Sequence, residues 1–420
     1  MATRRTTKTT HRASTRDMMG SGSRMITAIG PVHLPDTGEI RDTLMLLARA
    51  GGRHTPVGIF PSMQSRRWDY RPHDFLGDIQ DLGPCTTAEV PRLLTRLARS
   101  NDSTRPLNVA VAGDFLMLDI SHGLGDAALA LSLLRAVAGG YAGTAVPTWA
   151  QTRDTAVPLV RALARTFGSS PARVARVLES RQSMEHAPRQ MGVVPWRASP
   201  AVVVASAVAG TAAELRRWRD QELPAASVSS LLFAAIARSM QNRGFGIDNT
   251  VNVMFDCRRY LPRDATVNGN FCAGVQFSLT DPTDGAEMSA AVSRATSSGR
   301  PLASLALSAV TPRRRLRAGI AHERATHVAA APRARLMHSD VGEAAMLTDL
   351  AWTDGPGERL VTALSEPAEP TSIVFTSVRR GVELDVSASL HDNVFDPELV
   401  RAAIEDALCD PFALLSRMAV

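Results

Sequence analysis

His122 and Asp126 are the residues whose types and spacing most clearly indicate chemistry in this sequence. They lie in a segment that follows the apolar run Phe115 to Ile120 and precedes an alanine- and leucine-rich stretch that starts at Ala127. The apolar run predicts a buried strand, and the second stretch predicts a helix. His122 therefore lies in a predicted strand-to-helix turn, where rigid elements can hold an imidazole in place as a general base.

Two glycines, Gly123 and Gly125, belong to the same turn. Glycine permits tight backbone geometry because it has no Cβ. The backbone N–H groups of such a turn can donate to a negatively charged oxygen that develops on a substrate. The turn thus combines a candidate base with candidate oxyanion donors. It is too tight for Asp126 to be taken as the partner of His122.

The segment Ser121 to Ala127 resembles the His-His-x-x-x-Asp-Gly motif of the HxxxD acyltransferases, which belong to the chloramphenicol acetyltransferase-like superfamily. That group includes nonribosomal peptide condensation domains, polyketide-associated acyltransferases, wax ester synthases and plant alcohol acyltransferases. His122 and Asp126 match the motif, whereas Ser121 replaces its first His and Ala127 replaces its final Gly. The replacement at Ala127 could alter the turn that orients His122.

Further stretches resemble the same family in the same order along the chain. They are a helix at 227–240, a strand at 251–258 that ends in Asp-x-Arg at Arg258, a Gly-Asn-Phe segment at 269–271, and a Ser-Asn-x-Gly turn at 339–342 in which Asp340 replaces Asn. A lone HxxxD pattern arises by chance in many chains. The order and spacing of these elements make the resemblance more specific, and it covers residues 25 to 420.

The resemblance implies an α/β (α+β) protein of two chloramphenicol acetyltransferase-like lobes, which form a pseudo-dimer with an active-site channel between them. It implies that His122 is the catalytic base and that Asp126 turns away from it to pair with Arg258 of the second lobe, which supports the loop. Gly125, Asn270 and Ser339 are expected to line the substrate channel. A turn residue without a binding role is the alternative for Asn270 and Ser339.

The implied activity is acyl transfer from a thioester donor, either acyl-CoA or an acyl carrier protein, to a hydroxyl or amine acceptor. The acceptor would attack the donor directly, so no acyl-enzyme and no permanently bound cofactor are expected; the phosphopantetheine thioester is a co-substrate. Because no carrier domain is attached, we favour a tailoring acyltransferase of secondary or lipid metabolism. Ala127 and Asp340 keep a non-catalytic condensation-like module that binds a carrier protein or ligand open as an alternative. A stand-alone amide-forming condensation enzyme is a further alternative.

Two other motifs are rejected. The stretch Gly123 to Ala128 matches a dinucleotide-binding Gly-x-Gly-x-x-Ala pattern, but Asp126 would place a carboxylate where a pyrophosphate should bind. His322 and His327 suggest a zinc protease motif, but their five-residue spacing differs from the four residues that one helix face requires. We expect no metal site.

Composition agrees with a large globular protein. A chain of 420 residues with 45% hydrophobic residues can bury a substantial core and is long enough for two domains. The longest apolar run, 201–210, is about half of the roughly 20 residues that a membrane-spanning helix needs, so no integral membrane segment is expected. The four cysteines are scattered without CxxC spacing, which favours reduced thiols in a cytoplasmic protein.

The positive charge is concentrated at the start of the chain. Of the net charge of +6, residues 1–24 carry +5. The rest is nearly neutral and has no basic stripe interleaved with aromatic residues, which argues against nucleic-acid binding. Because residues 1–24 are rich in Thr, Ser and Arg, they are predicted to form a disordered, dispensable tail.

The remaining chain is predicted as an N-terminal lobe at 25–190, which carries the HxxxD loop, and a C-terminal lobe at 200–420. Pro195 and Pro200 mark the segment 191–200 as the linker. Hairpins are predicted at 107–120 and 373–388. Asp396 followed by Pro397 predicts the start of a helix that runs to Leu408.

Overall fold

The computed structural model describes residues 10–51, 56–100, 104–139, 146–152, 154–168, 170–179, 192–317, 325–355 and 357–416. The strands within them are β1 (Thr10–Arg12), β2 (Arg24–Gly30), β3 (Ile59–Phe60), β4 (Arg67–Tyr70), β5 (Leu76–Asp81), β6 (Leu107–Ala112), β7 (Phe115–Ser121), β8 (Val193–Pro195), β9 (Pro200–Ser206), β10 (Thr250–Asp256), β11 (Cys272–Ser278), β12 (His327–Ala329), β13 (Arg335–Glu343), β14 (Leu360–Ser365), β15 (Ser372–Arg380) and β16 (Glu383–His391). The α-helices are α1 (Thr15–Gly20), α2 (Thr37–Gly51), α3 (Val90–Ser100), α4 (Ala127–Ala138), α5 (Thr148–Gln151), α6 (Pro158–Leu163), α7 (Ala172–Glu179), α8 (Thr211–Glu222), α9 (Val228–Asn242), α10 (Gly285–Ser298), α11 (Arg300–Arg317), α12 (Pro397–Cys409) and α13 (Pro411–Ser416).

Two mixed β-sheets form the framework. The first has the strand order β14-β2-β7-β6-β5, and the second has the order β11-β10-β13-β15-β16-β9. Strand β7, which leads into the His122 turn, lies between β2 and β6, and all seven of its residues are buried. A strand paired on both edges is a rigid base for the turn that follows it.

Each sheet packs against helices to form its own hydrophobic core. In the first core, α2 and α4 contribute residues such as Leu44 and Leu133, which pack with Leu118 of β7. In the second, α9 and α12 contribute residues such as Phe233 and Ile404. The sheets, the helices and their order confirm the predicted α/β class.

Strand β14 joins the two sheets. It lies late in the chain but pairs with β2 of the first sheet. Side chains of β16, in the second sheet, bond its backbone: Val361 N–H donates to Asp385, Ser387 Oγ donates to the Ala363 carbonyl, and Ser365 N–H donates to Ser389 Oγ, each at 3.0 Å. The segment 200–420 is therefore not confined to one sheet.

The prediction of a disordered tail is wrong for residues 10–24. Residues 10–12 pair with β4, and residues 15–20 form α1, whose start is capped by Ser14 and Asp17. Ala13 and Met18 are buried in the first core, and this burial outweighs the basic composition. Residues 1–9 lie outside the described residues.

Two local predictions also need correction. Ser339 to Gly342 does not form a turn but lies within β13, where a β-bulge occurs between Asp340 and Gly342. The predicted linker contains β8, which pairs with β12. Since residues 180–191 lie outside the described residues, the boundary between the lobes stays a prediction. No helix in the described ranges is long and apolar enough to cross a membrane.

Candidate active site

His122 lies between β7 and α4, as the sequence predicts. Its N–H donates to the Ser23 carbonyl at 3.0 Å, and the N–H of Leu124 donates to the Ser121 carbonyl at 2.9 Å. The side chain of His122 is partly exposed, and its Nδ1 is buried without a hydrogen-bond partner. Backbone hydrogen bonds to Ser23, which precedes β2, and to Ser121 of β7 thus fix the turn, while no side chain among the described residues bonds the imidazole.

Asp126 turns away from His122 and caps α4, where it accepts a hydrogen bond from the Ala128 N–H at 3.2 Å. Both carboxylate oxygens accept from Arg258, at 2.9 and 3.1 Å, and the Phe271 N–H also donates to Asp126 at 3.1 Å. The two-pronged ion pair is the arrangement that the sequence resemblance implied. It connects the turn after β7 to the segment that follows β10.

Arg258 is held on every side by acceptors. Its Nε donates to the Val267 carbonyl at 2.9 Å and its Nη2 to the Gly269 carbonyl at 2.8 Å, while Asp256 lies 3.2 Å from Nη1. Burial acts to lower the pKa of Arg258, but Asp126 and Asp256 more than offset it, so that the pKa is raised overall. Arg258 is therefore a fixed cation with no free donor for a substrate.

The Gly-Asn-Phe segment completes the support of the turn. Asn270 Nδ2 donates to the His122 carbonyl at 2.7 Å and lies 3.3 Å from the Asp17 carboxylate, and Asn270 Oδ1 is buried without a partner. Together with the bonds of Gly269 to Arg258 and of Phe271 to Asp126, all three residues hold the loop or its ion pair. The motif elements that the sequence placed far apart meet here.

A cavity of about 410 Å³ adjoins this turn. Gly123, Leu124 and Asn270 line it, whereas the His122 side chain does not. Most of the remaining wall is apolar and includes Ile59, Trp68, Val157, Pro158, Leu159, Val160, Val267, Phe271 and Leu305. Its volume is within the usual range for a site that holds a small organic ligand.

Two residues predicted to line the channel do not line this cavity. Gly125 is buried, and a Cβ added there would lie 2.7 Å from Leu129 Cδ2 and 3.2 Å from the Asn268 carbonyl oxygen. Gly125 therefore allows close packing of the loop. Ser339 is partly exposed within β13 and does not line the cavity either.

Arg16, Asp17 and Asp154 line the cavity, and the sequence interpretation missed all three. Arg16 and Asp17 lie in the segment that was predicted to be disordered. The Ser14-x-x-Asp17 capping pattern was the available signal for a helix there. Asp154 has no local signal, since its position becomes meaningful only when the lobes are packed.

Asp154 is an acidic group of the cavity whose pKa is shifted. Partial removal of water by the surrounding protein raises this pKa to about 6, against the opposing effects of the Asn268 N–H bond and of Arg258. The residue is exposed to solvent at the same time. Because its pKa is about 6, Asp154 changes charge at mildly acidic pH.

The rejected zinc motif can be followed only in part, because His322 lies outside the described residues. His327 begins the short strand β12, and within the described ranges no cluster of three His, Cys, Asp or Glu side chains is arranged to hold a metal ion.

No protein-family model matches the sequence, and no curated protein matches it. Solved structures are similar to it along nearly the whole chain. A trichothecene 15-O-acetyltransferase from Fusarium sporotrichioides matches with a TM-score of 0.58 and 11% identity, over 96% of this chain and 94% of that chain. The condensation domain of the monacolin K polyketide synthase matches with a TM-score of 0.58 and 13% identity, over 97% of both chains.

The epimerization domain from the third module of tyrocidine synthetase B matches with a TM-score of 0.55 and 12% identity, over 96% of this chain and 93% of that chain. At these identities the similarity shows the fold and not the activity. All three structures belong to the superfamily that the sequence resembles. The protein therefore has the chloramphenicol acetyltransferase-like fold.

Proposed function

We propose that this protein is an acyltransferase that moves an acyl group from a thioester donor to a hydroxyl or amine acceptor. The observation that carries the proposal is the placement of His122 on a turn that both halves of the chain hold, next to a cavity. The donor would be an acyl-CoA or an acyl carrier protein, and the product an ester or amide of secondary or lipid metabolism. Acetyltransferases and condensation domains with the same fold support this choice.

The reaction needs one base and no covalent enzyme intermediate. His122 takes the proton of the acceptor O–H or N–H as the acceptor oxygen or nitrogen attacks the thioester carbonyl. The new bond forms a tetrahedral oxyanion, which collapses as the C–S bond breaks. The imidazolium then gives its proton to the leaving thiolate, which restores His122 and releases the free thiol.

The oxyanion requires hydrogen-bond donors close to His122. The N–H groups of His122 and Leu124 already donate to the carbonyls of Ser23 and Ser121. Gly123 lines the cavity, so its N–H is the favoured oxyanion donor in the proposal. Asp126, Arg258 and Asn270 act as positioning residues because they hold the turn and do not touch the reacting atoms.

The proposal is tested by incubating the protein with a mixed library of acyl-CoA and acyl carrier protein donors and of alcohol and amine acceptors. Acylated products are detected by intact mass. For each product found, His122→Ala is expected to lower the rate by roughly 10² to 10⁴, the usual contribution of a general base. The matched control is His73→Ala, since His73 is exposed and lies outside the cavity wall.

Two results would argue against catalysis by this site. One is a wild-type protein that forms no product from any donor; the other is a His122→Ala variant as active as wild type. The first result would favour the non-catalytic binding module, and the second would show that His122 is not the base. The ratio of ester to amide products would separate a tailoring acyltransferase from an amide-forming condensation enzyme.

A further inference from the structure

Arg16 is a cation in the cavity wall that lacks a counter-ion. Its Nη2 donates to the Cys272 sulfur at 3.4 Å, and its Nε is buried without an acceptor. A thiol is a weak acceptor. No carboxylate among the described residues lies within salt-bridge distance of Arg16, although two acidic side chains share the cavity.

Those two acids already have other partners. The Asp17 carboxylate accepts from the Ser14 N–H at 3.0 Å and lies 3.3 Å from Asn270 Nδ2. Asp154 accepts from the Asn268 N–H at 2.8 Å. Arg16 differs in this respect from Arg258, whose guanidinium is fully satisfied by Asp126 and by nearby carbonyls.

A half-buried cation without a counter-ion is energetically unfavourable, because burial removes water and nothing of opposite charge replaces it. Most residues of the cavity wall are apolar, and a low-polarity wall strengthens the attraction of a cation for an anion inside the cavity. The planar guanidinium is matched by a carboxylate, with which it can form two parallel hydrogen bonds. Asn270, whose Oδ1 is buried without a partner, lines the same cavity.

We propose that Arg16 forms a subsite for a carboxylate carried on an aliphatic chain, so that one of the two substrates is an acid. This inference rests on the proposed function and narrows its substrate class. The carboxylate could belong to the acceptor, as in a hydroxy or amino acid, or to the acyl donor, as in a dicarboxylic half-thioester. In either case the apolar wall would contact the chain between the carboxylate and the reacting group.

Binding is tested first, without turnover, using octanoate and its neutral isostere octanamide in isothermal titration calorimetry. Octanoate is expected to bind wild type at least about tenfold more tightly than octanamide, the range for a hydrogen bond to a charged group. Arg16→Gln should remove this preference and leave octanamide binding unchanged. Arg16→Lys keeps the positive charge but not the two parallel N–H donors of the guanidinium, and should retain part of the preference for octanoate.

The control Arg92→Gln removes an exposed arginine of α3 and should leave both affinities unchanged. Thermal unfolding of Arg16→Gln without ligand checks that the variant is folded, since among the described residues its side chain loses only the weak hydrogen bond to Cys272. Octanoate that binds wild type no better than octanamide overturns the subsite. So does octanoate affinity that Arg16→Gln leaves intact.

Free coenzyme A is the third probe. If Arg16→Gln weakened coenzyme A as strongly as octanoate, the group bound would be a phosphate and the carboxylate subsite would be wrong. We expect coenzyme A affinity to be unchanged.

Turnover then identifies which substrate carries the acid. In one arm, 6-hydroxyhexanoate and its methyl ester are compared as acceptors; in the other, succinyl-CoA and butyryl-CoA are compared as donors. Arg16→Gln should raise KM about tenfold or more for the charged member of one arm only, with little change in kcat. Because the binding measurement requires no catalysis, its result is independent of whether His122 proves to be the base.

Discussion

At the scale of single residues, the hydrogen bonds of the candidate site support the backbone of the turn and not the imidazole. Asn270 bonds the His122 carbonyl, and Arg258 bonds Asp126 four residues later. Both partners come from the second half of the chain. The position of His122 therefore depends on contacts between the halves, and their loss should change stability as well as rate.

Arg258→Ala is expected to destabilise the protein by about 3 to 5 kcal/mol, the usual cost of removing one partner of a buried ion pair. The reason is that the Asp126 side chain is only 8% exposed and would lose its counter-ion. The control Arg401→Ala breaks surface pairs with Glu398 and Glu405 and should cost no more than about 1 kcal/mol. Urea unfolding measures both. Equal losses in the two variants would mean that the Asp126 pair has no special importance.

Asp154 should make stability depend on pH. Its pKa of about 6 in the folded protein exceeds the value near 4 of an aspartate in an unfolded chain. The folded state therefore holds the proton more tightly, and this contribution to stability is lost as the pH rises from about 4 to 6. Asp154→Asn cannot titrate but keeps an oxygen acceptor for the Asn268 N–H. Relative to wild type, this variant is expected to be more stable at pH 7.5 than at pH 5, as measured by urea unfolding at both values.

The same residue provides a test of the carboxylate subsite. Protonation of Asp154 removes a negative charge from the cavity, so octanoate should bind more tightly at pH 5.5 than at pH 7.5. In Asp154→Asn this gain should be reduced. If the octanoate affinity of Asp154→Asn changed with pH as much as that of wild type, Asp154 would not be the cause of the pH dependence.

At the scale of elements, β14 and β16 are joined by hydrogen bonds between side chains of β16 and the backbone of β14, whereas neighbouring strands in a sheet are joined by backbone hydrogen bonds. Ser387, which is 2% exposed, donates to the buried Ala363 carbonyl of β14. The outer edge of β14 is thereby satisfied by the second sheet. An edge strand covered in this way is not open to pairing with another chain.

Ser387→Ala is expected to cost about 1 to 3 kcal/mol, because the Ala363 carbonyl would be left buried without its donor. Ser132→Ala is the matched control: Ser132 is partly exposed on α4 and bonds only the Ala128 carbonyl of its own helix. That change should stay within about 0.5 kcal/mol. Urea unfolding of both variants measures these losses. Similar midpoints would show that the hydrogen bond from Ser387 contributes little to stability.

Elements with strong local signals were predictable from the sequence. The start of α12 at Pro397 follows from Asp396, and the hairpin of β6 and β7 follows from apolar runs around Gly113. The bulge in β13 was mistaken for a turn, since Gly342 with φ of +83° would suit either. The cavity wall was not predictable, because residues such as Arg16 and Asp154 meet only through packing of distant segments.

At the scale of the whole molecule, the first described residues connect the two halves. Residues 10–12 add a strand to β4, and α1 brings Asp17 next to Asn270 and Arg16 next to Cys272. The α1 segment also packs on the His122 turn: a Cβ at Gly20 would lie 2.7 Å from the His122 carbonyl oxygen, and one at Gly123 would lie 2.8 Å from Ser21 Cβ. No larger side chain fits at either glycine without a shift.

Truncation tests this connection. Deleting residues 2–9 tests the sequence prediction that this part of the chain is dispensable, which requires that stability and octanoate binding stay unchanged. Deleting residues 2–21 removes β1 and α1, including the buried Met18, whose burial alone is worth roughly 1.5 to 3 kcal/mol. It also uncovers Trp68 and takes away Arg16.

We therefore expect the longer deletion to lower the urea midpoint and to abolish the preference for octanoate over octanamide. Turnover should also fall, because the His122 turn loses one of its packing faces. If the two deletions behaved alike in all three measurements, residues 10–21 would be dispensable after all, and the contacts of α1 with the turn would have no functional weight.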